Sequence, residues 1–276
     1  MQIKNTKLNK APAGEYVFII IICLLSIFPF YFMLVSATNK STDVIAGRMI
    51  PGAYLIQNFK NLLTTPTVSL WRSLWNSLRT TVIQTVLSIF VCSLAGYGFQ
   101  VYRDKKKDAM MNILLLSMMI PFASTMIPLF KMFSAAHLLN TTLGFVLPSI
   151  STAFLIFFFR QNSQAFPLET IQAARVDGLS EIGIYLKIYM PIMSPTFAAA
   201  AIVTFMNAWN NYLWPLIVMQ SNNMRTMPLF VTNLTAGYVT DYGMLMLAVT
   251  IMTLPTIILF FTQQKRFVEG ITGSIK

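Results

Sequence analysis

The segment PLETIQAARVDG, residues 167–178, is followed nine residues later by IYMP at residues 188–191. Both pieces lie in a charged, amphipathic stretch that separates two long apolar parts of the chain. The small side chains of Ala173 and Ala174 would let a helix approach another surface closely, and Gly178 would let the chain leave that helix in a left-handed turn. The sequence therefore predicts a short helix that ends near Gly178.

Outside this stretch the chain is strongly apolar: 55% of its 276 residues are hydrophobic and only 11% are charged, against about 25% charged residues in soluble proteins. Cutting the sequence at every charged residue and histidine leaves six uncharged windows of 22 residues or more. A bilayer core of about 30 Å needs roughly 20 apolar residues per helix. A soluble enzyme is therefore excluded, and we predict an all-α membrane protein that forms one transmembrane domain over residues 1–276. The six spans are predicted at about residues 17–37, 80–99, 109–129, 142–159, 196–219 and 242–263.

The net charge of +11 is distributed between the apolar spans. With the N-terminus in the cytoplasm, 13 of the 20 Lys and Arg residues fall on the cytoplasmic side, as the positive-inside rule requires. We therefore expect both termini and the loop 160–195 in the cytoplasm, and residues 220–241 outside. This distribution indicates contact with membrane lipid and excludes a nucleic-acid partner, which would require one continuous basic face.

The chain carries no recognisable catalytic apparatus. No ionisable residue lies well inside a predicted span, which argues against proton-coupled transport by this chain alone. The spacing Gly178-x-x-x-x-Gly183 begins like a phosphate-binding loop, but Ile184 and Tyr185 stand where Lys and Ser or Thr are required. The sequence contains no convergent catalytic or metal-binding set, so we expect a pore subunit whose energy comes from a partner.

The segment 167–191 resembles the EAA signature of ABC-importer permeases, which reads Glu-Ala-Ala, three residues, Gly, nine residues, then Ile-x-Leu-Pro. Gln172 stands for the Glu and Met190 for the Leu, while the spacing is kept. The last two spans and their flanks, from Phe205 to Gly273, are similar to the carbohydrate-uptake branch, specifically the maltose-type second permease subunit.

This resemblance implies a type I ABC-importer permease fold with a cytoplasmic coupling helix, in a prokaryotic inner membrane. It implies a non-catalytic subunit of an ATP-driven, binding-protein-dependent importer of a sugar or oligosaccharide. The expected partners are a second homologous permease subunit, two ATP-binding subunits and an extracytoplasmic sugar-binding protein. ATP and Mg would bind to the partner subunits, and no cofactor to this chain. An ABC permease for peptides or amino acids is the alternative.

The resemblance also assigns the contact with the ATP-binding subunits to the loop 160–195. Because Gln172 replaces a carboxylate, we do not expect an ion pair from that position to the ATPase. An ordinary amphipathic linker on the lipid surface is the alternative for this loop. The candidate coupling residues are Glu169, Gln172, Ala173, Ala174, Asp177 and Gly178.

Four residues of the fifth predicted span have the spacing i, i+3, i+4, i+7, which places them on one side of a helix: Asn207, Asn210, Asn211 and Trp214. Their amides and aromatic face suit a neutral, hydroxylated solute, so they are candidates for the solute path. The alternative is that the asparagines bond neighbouring helices or the partner permease subunit.

The predicted external loop, residues 220–241, is rich in hydroxyl and amide groups, and Pro228 is expected to fix a turn in it. The resemblance implies that this loop reaches the binding protein, and an ordinary solvent-exposed loop is the alternative. The candidate contact residues are Thr226, Pro228, Thr232, Asn233, Thr235 and Gly237.

Overall fold

The computed structural model describes residues 13–66 and 68–272, and this part of the chain folds into α-helices without a β-strand. The two chain termini, which the sequence places in the cytoplasm, lie outside the described residues. Contacts divide the chain into two compact units, one within Met1–Thr64 and Leu234–Ile251 and the other within Thr65–Asn233 and Met252–Lys276. The expectation of one domain over residues 1–276 stays a prediction.

The first unit contains three helices before residue 64 and the beginning of the last helix. They are α1 (Ala13–Ala37), α2 (Ser41–Ile45) and α3 (Leu55–Leu63). Asn58 in α3 is buried, and its amide nitrogen donates hydrogen bonds of 2.9 Å to the carbonyl oxygens of Ala37 and Asn39. These bonds satisfy carbonyls at the end of α1 and hold α3 against it.

The second unit is built around α4 (Leu70–Val101), a 32-residue helix that packs against two later helices, α8 and α12. The helices that follow α4 are α5 (Lys105–Ser117), α6 (Phe122–Ala135), α7 (Thr142–Val146), α8 (Ala153–Asn162), α9 (Leu168–Val176), α10 (Glu181–Ile184), α11 (Met190–Ile192), α12 (Ser194–Trp209), α13 (Leu213–Val218), α14 (Met227–Asn233) and α15 (Tyr242–Thr272). A π-helical turn, Tyr185–Tyr189, joins α10 to α11.

Three helical segments are long and apolar enough to cross a membrane by themselves: Gly14–Ala37, Leu70–Val101 and Tyr242–Gln264. Three bent helix pairs satisfy the same criteria of length and composition, with bends of 97° between α5 and α6, 51° between Thr142–Ser149 and Ala153–Ala165, and 82° between Glu181–Ile192 and α12. If each pair is one span, the described part of the chain has the six predicted spans. The all-helical membrane fold is confirmed.

The prediction of continuous helices over residues 109–129, 142–159 and 196–219 is nevertheless wrong. Prolines explain the interruptions, because a proline cannot donate to a helical carbonyl and disfavours helical geometry in the residue before it. Pro121 separates α5 from α6, and Pro148 lies in the 3₁₀ turn (Leu147–Ser149) after α7. The fifth span ends at Trp209, and Pro215 falls in the first turn of the separate α13.

The second span is longer than the predicted 80–99, since α4 already begins at Leu70. Counting charges placed the start too late because Arg72 and Arg79, which end the uncharged window, are good helix formers and do not interrupt the helix.

The helices α4 and α8 lie very close together at Gly96. A Cβ added there would lie 2.5 Å from the Cβ of Phe159 and 2.9 Å from the backbone nitrogen of Arg160, whereas a Cβ at Gly98 would meet nothing within 4 Å. The two helices therefore depend on the missing side chain at position 96.

We predict that Gly96→Ala lowers the free energy of unfolding by about 1–3 kcal/mol, because the added methyl forces α4 and α8 apart. Gly98→Ala is the matched control, and it should leave stability unchanged or raise it slightly since alanine favours a helix. Melting temperatures of the purified protein in detergent compare the two variants. Equal melting temperatures would contradict the packing described here.

Candidate functional site: a coupling helix and a polar cavity

The helix predicted in the segment 167–178 is α9, and it ends in a Schellman motif. Gly178 has a positive φ of 78°. Its N–H donates to the carbonyl of Arg175, and the N–H of Leu179 donates to the carbonyl of Ala174, at 3.1 and 3.0 Å. This pattern of two bonds around a left-handed glycine satisfies the last carbonyls of a helix. The predicted left-handed turn at Gly178 is confirmed.

The inner face of α9 packs on an apolar cluster of its own chain. Ile171 and Ala174 are 1% and 4% exposed, and they lie in a cluster with Phe166, Tyr97 and Tyr189. The idea that Ala174 offers a close contact to a partner is therefore wrong. Adjacent residues of a helix point in different directions, so the fold buries Ala174 and leaves Ala173 exposed. The sequence alone does not show which of the two alanines is buried.

The outer face of α9 is exposed and carries the remaining candidate residues. Its exposed members are Glu169, Gln172, Ala173, Val176 and Asp177, together with the adjoining Gly178. Val176 is 88% exposed, although sequence reasoning did not single it out. The side chain of Val176 is aliphatic, highly exposed and close to Ala173. This apolar surface makes the outer face of α9 suitable for docking on another protein.

An ion pair ties the end of α9 to α10. The Nε atom of Arg175 donates to the Glu181 carboxylate at 2.6 Å, and the guanidinium lies 5.4 Å from the ring centroid of Tyr102. The Arg175 guanidinium holds the pKa of the Glu181 carboxyl below its ordinary value. Glu181 therefore stays ionised at neutral pH, and the pair fixes the exit of the chain from α9.

A cavity of about 770 Å³ lies where α12 breaks into α13 and where α7 gives way to α8. All four candidate residues, Asn207, Asn210, Asn211 and Trp214, line it together with Ser149 and Thr152, and their role in a solute path stays a prediction. None of the described residues that line it is charged. The hydroxyls of the 148–152 turn were missed because the fourth span was treated as a regular apolar helix. Pro148 in that window was the available signal.

The four candidates do not share one helical face, because Asn210 caps α12 and Asn211 lies in the break before α13. The amide nitrogen of Asn210 donates to the carbonyl of Met206 in its own helix, at 2.9 Å. Trp214 is only 2% exposed, and its indole N–H donates to the carbonyl of Gly144 at 2.9 Å. Trp214 therefore serves mainly to pack α13 against α7.

The segment around Pro228 is helical, so the predicted turn is wrong. Pro228 lies in the first turn of α14, and it is buried, as is Thr226, which is 2% exposed. Neither side chain is available to another protein. Thr232 is exposed and Asn233 is partly exposed in the same unit, and their role stays a prediction.

In the first unit, Thr235 and Gly237 are exposed, and two strongly exposed side chains follow them. Tyr238 is fully exposed and Val239 is 89% exposed. Tyr238 is one of the hydroxyl-bearing residues that the sequence indicates in this loop, whereas Val239 was missed, although an aromatic and an aliphatic residue next to each other in a polar loop are a signal for a contact surface.

The fold, the exposed coupling helix and the uncharged cavity define a membrane transport subunit. Residues 101–273 match the model of the family described as binding-protein-dependent transport system inner membrane component. The chain belongs to this family, so it is a permease subunit of an ABC importer and not an enzyme. The family assignment made from the spaced motif is confirmed.

Similar proteins include three curated permeases. The chain is 44% identical over 262 residues to the lactose transport system permease protein LacG of Rhizobium radiobacter, with 95% of each chain covered. It is 34% identical to the arabinooligosaccharides transport system permease protein AraQ of Bacillus subtilis (strain 168), with 94% of each covered. It is 28% identical to the sn-glycerol-3-phosphate transport system permease protein UgpE of Escherichia coli (strain K12), with 91% of this chain and 92% of that one covered.

The fold is also similar to a chain in the crystal structure of a bacterial ABC transporter involved in the import of the acidic polysaccharide alginate. The TM-score is 0.77 at 20% identity, and the match covers 94% of this chain and 99% of that one. This likeness confirms the expected type of permease fold.

We predict that the same substitution changes the free energy of unfolding by very different amounts at the two adjacent alanines of α9. Ala174→Glu places a carboxylate in the apolar cluster and should lower the free energy of unfolding by about 3–5 kcal/mol. Ala173→Glu places it on the exposed face and should change stability by less than about 0.5 kcal/mol. Thermal unfolding of the two purified variants tests this. Equal loss of stability in both would show that the faces of α9 are assigned wrongly.

Proposed function

We propose that this chain is a pore-forming permease subunit of an ATP-driven importer for a neutral sugar or oligosaccharide. The observation that carries the solute class is the cavity where α12 breaks, since amide, hydroxyl and aromatic side chains line it and none of the described lining residues is charged. Such groups suit the hydroxyls and ring faces of a neutral sugar. The lactose and arabinooligosaccharide permeases among its relatives support the same class.

Two other solute classes fit the cavity less well. An sn-glycerol-3-phosphate path, as in the more distant Escherichia coli relative, would favour a cationic side chain for the phosphate. Peptides and amino acids carry an ammonium and a carboxylate, which a path without charged groups does not complement. A neutral sugar is therefore favoured over both.

The importer would contain a second homologous permease subunit, two ATP-binding subunits that hold ATP and Mg, and an extracytoplasmic sugar-binding protein. In this assembly both termini and α9 face the cytoplasm. The outer face of α9, with Ala173, Val176 and the exposed Gln172, docks into a groove of an ATP-binding subunit. Gln172 contributes a neutral amide there, so no ion pair to the ATP-binding subunit forms from that position.

The complete importer, reconstituted in liposomes with its own binding protein, tests the solute class. We expect lactose or arabinotriose to stimulate ATP hydrolysis and to accumulate inside the vesicles. A dipeptide and sn-glycerol 3-phosphate, offered at the same concentrations, should do neither. Stimulation by the dipeptide or the phosphate ester, without stimulation by either sugar, would overturn the proposal.

The second test concerns the binding protein, which we place on the exposed residues Thr235, Gly237, Tyr238 and Val239. Because an exposed tyrosine is a frequent energetic centre of protein contacts, Tyr238→Ser with Val239→Ser should reduce binding-protein-stimulated ATPase activity about tenfold. Basal ATPase activity should not change. Ile45→Ser, which alters another strongly exposed apolar residue of the same unit, is the control. Equal stimulation in both variants would show that the binding protein does not use this segment.

A further inference from the structure

The helix α4 carries polar side chains along its buried side, and several of them have partners within the chain. Ser88 donates a hydrogen bond of 2.8 Å to the carbonyl of Ser149. The amide nitrogen of Asn76 donates to the backbone carbonyls of Asn223 and Arg225. Ser93 and the Tyr185 hydroxyl are 2.6 Å apart. These bonds give each of the three groups a structural reason to be polar.

Gln84 belongs to a second group on the buried side of α4, with Ser73, Thr81 and Thr85, whose side-chain oxygens have no hydrogen-bond partner among the described residues. Gln84 is 5% exposed. The residue lines a cavity of about 140 Å³. This cavity shares four lining residues with the cavity of about 770 Å³, namely Ser149, Thr152, Asn207 and Asn211. The two cavities therefore adjoin along these four residues to form one polar recess, and Gln84 lines the smaller of them.

A carboxamide buried without a partner is unfavourable unless something enters the recess to bond it. The smaller cavity has room for several water molecules, each of which occupies about 30 Å³ in the liquid. A sugar hydroxyl offers the same pairing as water, because both donate and accept and a carboxamide can do either. Gln84 is thus available to exchange water for a hydroxylated solute.

We propose that Gln84 is a specificity-determining residue of the solute path and that its carboxamide hydrogen-bonds a hydroxyl group of the sugar in transit. This inference rests on the proposed function. It assigns part of the sugar recognition to α4 of this chain, beside the asparagines at the end of α12. A sugar without the hydroxyl that reaches Gln84 would leave the carboxamide unpaired again, so the residue discriminates between closely related sugars.

The test uses Gln84→Met, which keeps the length of the side chain and removes both hydrogen-bonding groups. The matched control is Thr81→Val, because Thr81 is a buried α4 residue that lines neither cavity and whose hydroxyl also has no partner in the described part of the chain. The complete importer is reconstituted with saturating binding protein. Maximal uptake is measured for whichever of lactose or arabinotriose the parent complex imports, and for its series of monodeoxy analogues.

In the parent, one monodeoxy analogue should be taken up about fivefold to tenfold more slowly than the sugar itself. In Gln84→Met the uptake rate of the sugar should fall to the rate at which the parent takes up that analogue. The uptake rate of the analogue itself should not change. Thr81→Val should keep the parental pattern. An equal loss for the sugar and all analogues, a loss of assembled complex in place of transport, or an unchanged pattern would each overturn the role of Gln84. A parent complex that imports neither sugar would instead refute the proposed function.

Discussion

A lipid bilayer offers no hydrogen-bond partners, so each backbone group that a helix break frees must be bonded inside the protein. This constraint shapes the second unit of the molecule. Where α8 starts, the Thr152 hydroxyl oxygen accepts from the N–H of Leu155, and Trp214 donates its indole N–H to the carbonyl of Gly144. Asn140 bonds the last residue of α13 and the segment after it, since its N–H donates to the carbonyl of Val218 and its side-chain oxygen accepts from the N–H of Ser221.

The same constraint places the cavity of about 770 Å³ that we propose as the solute path. Irregular backbone at membrane depth is tolerated where it is buried in protein or borders a water-filled space. The two breaks that follow α7 and α12 both line the cavity, through Ser149 and Thr152 on one side and Asn210 and Asn211 on the other. Polar residues collect at these breaks because freed backbone groups need partners and a passing solute needs hydrogen bonds. One arrangement serves both requirements.

Counting charged residues predicted the number of apolar stretches, because charged side chains are excluded from the bilayer in continuous and in broken helices alike. It could not predict the continuity of the helices, since counting charges gives no weight to Pro121, Pro148 and Pro215. The family and the end of α9 were predictable, because Gly178 is a local, backbone-determined signal. The inward orientation of Ala174 was not, since it depends on side chains more than 70 residues away in the sequence, such as Tyr97.

Packing also explains how a short helix outside the membrane can influence the spans. Ile171 and Ala174 of α9 lie in one cluster with Tyr97 of α4 and Tyr189 of the π-helical turn. The rings of Tyr97 and Tyr189 meet edge to face with centroids 4.8 Å apart, and the Tyr189 ring also meets Phe197 of α12. Because such cores are close-packed and yield little to small displacements, a shift of α9 strains its contacts with α4 and α12 together. The helix α4 carries Gln84 and α12 carries Asn207, and both residues line the cavity of about 140 Å³, so the cluster links α9 to two residues of that cavity through packed side chains.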